Sequence, residues 1–251
     1  MMKAGIDITV DVLYDLLSLI WEEKRTPEDW CKGLIVKLLK KDALNNCVNW
    51  RGINLMPTAA KVMGKQIIKR ISIRIDKKLM KEQAGFRSSR GTIEQIFVLR
   101  NIVEQTVEWN GSAYICFIDY QKAFDSIYRE TLWRIMGSYG ILPKLVRMVQ
   151  AMYKGGKCAV IDGGGKTNWF DIKSGVREGC VMSGFLFLLV IDWVMRKTLR
   201  EGNTEIRWRF IGKLEDLDFA DDLALSSSTR RQLQLKNERL SNASKRHRSK
   251  D

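Results

Sequence analysis

A chain of 251 residues with 45% hydrophobic content, 8 Trp and 9 Phe has the means to bury a substantial core, which excludes disorder over its whole length. Its 43 Lys and Arg against 29 Asp and Glu leave a formal charge of +14, pointing to an anionic partner, nucleic acid foremost. The single histidine, His247, excludes histidine triads, histidine-ligated zinc and histidine general bases, so any active site runs on carboxylates, lysines, arginines or backbone groups.

The five cysteines are scattered, odd in number and never in a CxxC pair, which argues against a disulfide framework or a structural zinc site and for a reducing compartment. The longest apolar run, 181–191, is interrupted by Ser183 and Gly184 and is about half of what a membrane-spanning helix needs. No signal pattern stands at the N-terminus. The expectation is an intracellular protein of the cytoplasm or nucleus, without a membrane partner.

In chain order, Val12, Leu13, Leu16, Leu17 and Ile20 set a helical period over 9–24, closed by Pro27. Residues 33–39 read as a short strand, followed by a polar loop that reaches Arg51. Ile67, Ile71, Ile75 and Leu79 recur every fourth residue, predicting one long amphipathic helix over 58–80. Residues 83–91 read as a loop. Thr92 then caps a helix with Ile96, Leu99, Val103 and Val107 on its inner face. After the Asn110-Gly111 turn, 112–119 alternates as a half-buried strand ending in an acid, and Asp125 caps a helix over 126–139. Residues 157–173 read as a hairpin around Gly163, Gly164 and Gly165, and 181–199 as a buried helix. The stretch 205–227 gives strand, turn, strand and a final turn pair holding Asp221 and Asp222, and the basic end from 230 reads as frayed.

Two acidic sites lie at the ends of apolar strands, where burying a carboxylate is costly without a cation: Asp119 after Tyr-Ile-Cys-Phe-Ile, and Asp221-Asp222 after Phe-Ala. An Asp-Asp pair alone is common at hairpin tips because Asp suits turns. Transfer of a phosphoryl group to a 3′-hydroxyl, however, uses two divalent ions about 3.5–4 Å apart, and carboxylates from two adjacent strands supply such a clamp.

Several blocks in consistent order carry a resemblance over almost the whole chain: TPEDWCKGLIVKLLKKD, NWRGINLMPTAAKVMGKQIIKRI, QAGFRSSRGTIEQIFVLRNIVEQ, FIDYQKAFDSIYRETLW, GVREGC followed by FLFLLVIDWVM, and DLDFADDLALSS. They resemble the reverse transcriptases of retrotransposons without long terminal repeats (LINE-like elements). That resemblance implies an α+β fold of the right-hand polymerase type, with a ferredoxin-like palm sheet and helices. Fingers are expected over 1–110, palm over 111–230 and a basic tail over 231–251. It implies an RNA-directed DNA polymerase that adds dNTPs to a DNA primer on an RNA template with two Mg²⁺ or Mn²⁺ ions. Asp119, Asp221 and Asp222 would be the catalytic, metal-holding acids. Phe124 would be the aromatic gate against a 2′-hydroxyl, and Lys41, Arg51 and Glu178 would stand at the nucleotide. Gly85, Arg87, Arg90 and Gly91, with Gly175, Arg177 and Gly179, would contact the template.

Departures from the family's pattern are Glu178 in place of Gln, Gly184 in place of Pro after Ser183, and Gly52 in place of Pro. Beyond Ala243 the family continues into a Gly-Leu-x-Ile-Asn block, a nearby Lys-Thr-Lys and a thumb, whereas here the chain runs Ser-Lys-Arg-His-Arg-Ser-Lys-Asp. A thumbless, truncated element copy or a piece of a longer polyprotein is expected. The alternative to a polymerase is a silent remnant that only binds nucleic acid. An RNA-templated RNA polymerase is a third, disfavoured by Phe124.

Overall fold

The structure, a computed structural model, describes residues 6–40, 45, 49–199, 206–208, 212–214 and 216–248. Along the chain come α1 (Ile6–Glu23), α2 (Glu28–Cys31), β1 (Lys32–Leu39), β2 (Trp50–Leu55), α3 (Thr58–Ile75), α4 (Thr92–Glu108) and β3 (Tyr114–Asp119). They are followed by α5 (Arg129–Ser138), α6 (Pro143–Tyr153), β4 (Lys157–Asp162), β5 (Gly165–Lys166), β6 (Phe170–Asp171) and α7 (Ser183–Leu199). Last are β7 (Ile206–Trp208), β8 (Gly212–Leu214), β9 (Asp216–Phe219), β10 (Asp222–Ser227) and α8 (Arg230–Arg248). The class is α+β, as expected. Contacts divide the chain into two compact units, Met1–Ile73 with Met136–Ser183 and Arg74–Ile135 with Gly184–Asp251.

In the first unit a mixed sheet runs β2-β1-β4-β5, with β6 also on β4; β1 is antiparallel to β2 and parallel to β4. Part of the expected polar loop before Arg51 is in fact strand β2, whose Arg51 pairs with Leu38. The cause is tertiary: β1 supplies the backbone partners that a polar segment cannot announce by hydrophobic alternation. Helix α6 was not foreseen either. It starts with Pro143 in its first turn and buries Leu145, Met148, Val149, Met152 and Tyr153, the spacing of one helix face.

The second unit is built on an antiparallel sheet, β3-β10-β9. Helix α4 begins at Thr92 with Gly91 as its cap, where Glu94 Oε2 accepts the Gly91 N–H at 3.3 Å. Its inner face is Val98, Leu99 and Ile102, packed on Ala113, Ile115, Leu217 and Ala224. Of the four positions expected inside, only Leu99 is there. Ile96, Val103 and Val107 are 62%, 53% and 76% exposed. The helix carries apolar residues on two faces, and periodicity cannot choose between them.

Helix α7 is apolar nearly all round and buried accordingly, with Leu186, Leu188 and Leu189 fully covered. Among the described residues no helix is long and apolar enough to cross a membrane. The end expected to fray is the helix α8. Thr229 Oγ1 accepts the Gln232 N–H at its start, and Leu240 and Ala243 are buried. Lys236 hid this stripe from the sequence pattern. It is fully buried, its stem packed and its Nζ donating to the Ser226 carbonyl at 2.8 Å. Helix α5 starts at Arg129, so Asp125 lies in the preceding turns and does not cap it.

Candidate active site

Strand β3 runs out at Asp119 and β10 begins at Asp222, and the antiparallel register sets these two residues directly opposite each other. Opposed residues project to the same face with Cβ atoms about 4.5–5.5 Å apart. Asp221 is the second of two turn residues between Phe219 and Asp222, which are themselves paired. Acids about a hundred residues apart in sequence therefore share one end of one sheet. Their mutual effect is visible at Asp222, whose carboxyl lies above its ordinary value of 3.8 through burial, then the charge of Asp221, then that of Asp119. Among the described residues no three Asp, Glu, Cys or His side chains are already closed into a metal cage. What the register fixes is that the three acids share one end of the sheet. An open cavity of about 330 Å³ adjoins them, walled by Gln95, Ile96, Leu99, Phe117 and Phe219 with Asp119 and Asp222 at its border.

Residues 82–84 lie along the free edge of β9. Ala84 N–H donates to the Asp218 carbonyl at 2.9 Å and Asp218 N–H to the Glu82 carbonyl at 3.3 Å. Gly85 is required there by close approach, since a Cβ would stand 2.2 Å from the backbone nitrogen of Ala220. Arg87 does not match its expected place on a template. Its side chain is 4% exposed, and its guanidinium donates to Asp76 Oδ1 at 2.7 Å, the Asp76 carbonyl at 3.0 Å, and the carbonyls of Met80 and Gln83 at 2.6 and 3.0 Å. A buried guanidinium needs acceptors for its donors, and with these four this arginine holds the loop in shape. The same contact holds Asp76 below its ordinary carboxylate range. Arg90 is half-buried and donates to the Lys81 carbonyl. Gly91 has open space where a Cβ would be.

Phe124 is half-buried in an aromatic cluster. It stacks on Phe187 with centroids 5.0 Å apart and meets the edge of Phe86 at 6.2 Å. A Cβ on Gly184 would fall 2.6 Å from the Phe86 ring, so the glycine in place of proline leaves the space in which that ring sits.

In the first unit, the Arg51 Nε donates to Glu178 Oε1, and the Glu178 carbonyl accepts the Asn54 N–H at 2.8 Å. Two of the three expected nucleotide residues of this unit are thus joined; the third, Lys41, lies outside the described residues. Gly175 and Gly179 have φ of +75° and +92°, and a Cβ on Gly179 would stand 2.7 Å from the Asn54 carbonyl. Arg177 is buried, donating to the Trp30 and Cys31 carbonyls at 3.1 Å each and lying over the Tyr153 ring. Its expected template contact gives way to a role inside the fold, for the same reason as at Arg87. Tyr153 beneath it is fully buried, and its hydroxyl is pushed well above the usual range by burial. Sequence reasoning missed Gln83, a fully buried polar residue beside the acidic turn, which follows the charged pair Lys81-Glu82 and carries no sign of its burial.

An antiparallel sheet presents three acids from a strand end and the adjoining hairpin within an α+β fold, the arrangement expected of a polymerase palm. The chain belongs to the reverse transcriptase (RNA-dependent DNA polymerase) family, whose pattern matches residues 38–250. It is 28% identical over 184 residues to the RNA-directed DNA polymerase from mobile element jockey of Drosophila funebris, covering 72% of this chain and 19% of that protein. Over 168 residues it is 27% identical to the transposon TX1 uncharacterized 149 kDa protein of Xenopus laevis, covering 64% of this chain and 12% of that one. In fold it is similar to apo telomerase from Candida tropicalis, with a TM-score of 0.64 at 12% identity over 94% of this chain and 47% of that one. The chain spans a minor part of the length of the curated relatives it matches. These relatives bear out the resemblance to reverse transcriptases of retrotransposons without long terminal repeats, and the telomerase likeness bears out the fingers-and-palm fold.

Proposed function

We propose that this chain carries the nucleotidyl-transfer centre of an RNA-directed DNA polymerase, adding dNTPs to the 3′-hydroxyl of a DNA primer on an RNA template. The observation that supports this best is the register that sets Asp119 against Asp222 with Asp221 in the adjoining turn. An all-carboxylate donor set suits hard divalent cations, and the upward displacement of Asp222, by burial first and then by its two acidic neighbours, includes negative charge that a cation would relieve. Asp119, Asp221 and Asp222 would hold two Mg²⁺ or Mn²⁺ ions, which when bound activate the attacking hydroxyl and neutralise the triphosphate.

The chain's own residues do the rest. The tight β9–β10 turn holds two of the acids in place against β3, so the charge is arranged before substrate arrives. Phe124, with one edge buttressed by Phe86, would close the space a 2′-hydroxyl needs. In the first unit Arg51 would bind triphosphate oxygens, a task in which Glu178 is its competitor. The division into fingers over 1–110 and palm over 111–230 is part of this proposal, as are the template contacts of Gly85, Arg90, Gly91, Gly175 and Gly179. Primer extension tests the whole. Purified chain with an RNA template, a DNA primer, dNTPs and Mg²⁺ should extend the primer, and Asp221→Asn should abolish extension while keeping the wild-type circular dichroism spectrum. Extension that survives in Asp221→Asn refutes the assignment. No extension by the wild-type chain under either ion, with salt-sensitive RNA binding intact, would favour the silent remnant instead.

A further inference from the structure

The turn carrying Asp221 has a residue whose backbone N–H is bonded from outside β9 and β10. Ala220 has a φ of +58°, in the left-handed region that a side chain with a Cβ disfavours. It is also buried, so its N–H needs a partner. That partner comes from outside the hairpin. Gln83 is fully buried, and its Oε1 accepts the Ala220 N–H at 3.1 Å and the Gly85 N–H at 2.7 Å. Both partners are donors, so the amide must present its oxygen to them, and its Nε2 has no hydrogen-bond partner among the described residues. Gln83 is itself anchored by a parallel bridge to Asp218. A Cβ on Gly85 would stand 2.2 Å from the Ala220 nitrogen, so only glycine leaves room for the turn there.

We infer that Gln83 is the positioning residue of the catalytic turn: its carboxamide oxygen, with the close approach of Gly85, holds Ala220 in its strained conformation and so sets Asp221 and Asp222 against Asp119. This goes deeper into the proposed site and rests on that reading only for the cation, not for the geometry. The clamp acts through backbone hydrogen bonds, so it depends on an acceptor at one position and on the absence of a Cβ at another. Strain of this kind persists where surroundings over-determine it, and here two residues of one loop do so.

The test compares Gln83→Met, which keeps the volume and loses the acceptor, with Gly85→Ala and with the double variant Gln83→Met, Ala220→Gly, in which glycine adopts the positive φ unaided. Amide hydrogen exchange is followed by mass spectrometry in peptides covering 217–224 and 183–199, and Mn²⁺ affinity by electron paramagnetic resonance of the full chain. Gln83→Met should accelerate exchange in 217–224 by about tenfold, the effect of losing one buried hydrogen bond, and leave 183–199 unchanged. Its Mn²⁺ affinity should fall by a similar factor, and Ala220→Gly should restore most of it. If Gln83→Met does not fold, Gly85→Ala must show the same localised exchange. Equal acceleration in both peptides, unaltered exchange in 217–224, or no recovery in the double variant overturns the clamp. Absence of Mn²⁺ binding by the wild-type chain would overturn the functional proposal, with the exchange measurements still deciding for or against the clamp.

Discussion

Replacing Asp218 with asparagine should flatten the dependence of this chain's stability on pH. Asp216 and Asp218 project from the same face of β9, and both are 1% exposed, as is Asp192 of α7. The Asp218 carboxyl is raised well above its ordinary 3.8 by burial first, then by the charges of Asp216, Glu82 and Asp192. The folded chain therefore keeps a proton that the unfolded chain gives up once pH climbs past about 4. Below that value both states hold the proton and its contribution is complete. Above it folding must take a proton up, so stability falls as pH rises until the folded group itself ionises. One proton is worth about 1.4 kcal/mol per pH unit over the window in which only the folded chain holds it. The asparagine amide has no such proton to lose and still offers an N–H toward Asp216. Urea unfolding of wild type and Asp218→Asn at matched ionic strength from about pH 5 to about pH 7 should show the variant gaining on wild type by about that slope. Parallel stability curves would refute the reasoning, since Asp218 would then titrate alike folded and unfolded.

Glu178→Gln removes the charge that occupies Arg51; exposed pairs of this kind contribute about 0.2–1 kcal/mol, so triphosphate should bind up to about fivefold more tightly by isothermal titration. Unchanged affinity would mean that Arg51 does not meet triphosphate. Gly184→Ala drives a Cβ into the Phe86 ring and disturbs its edge contact with Phe124, an interaction worth about 0.5–1.5 kcal/mol. Discrimination between dNTP and rNTP in single-nucleotide incorporation should drop by up to about tenfold, and equal discrimination would detach Phe124 from sugar selection.

The acids were legible because a carboxylate at the end of an apolar strand is an exception that sequence shows directly. Asp119 and Asp221-Asp222 both stood out, and antiparallel pairing of β3 with β10 was the simplest way to unite them. The arginines were not legible. Arg87 and Arg177 face inward because carbonyls of Met80, Gln83, Trp30 and Cys31 happen to converge on them, and carbonyl positions have no sequence signature. The same holds for Gln83, whose partners are two backbone N–H groups. Helix α4 shows a different limit: Ile96 and Ile102 are equally apolar, and only the sheet beneath decides which is buried. At α8 the pattern failed because Lys236 stands where an apolar residue would have completed the stripe. Helix α6 is the opposite case, missed although Pro143 and the spacing of Leu145, Met148, Val149 and Met152 carry its signal in full.

Whether three acids so far apart in sequence form one cation pocket can be measured without substrate. Mn²⁺ binding, followed by electron paramagnetic resonance, should weaken sharply in Asp119→Asn and in Asp221→Asn alike, because each removes a carboxylate from the same pocket. Wild-type affinity in Asp119→Asn, with binding lost only in Asp221→Asn, would place the ion on the hairpin alone and separate β3 from the chemistry.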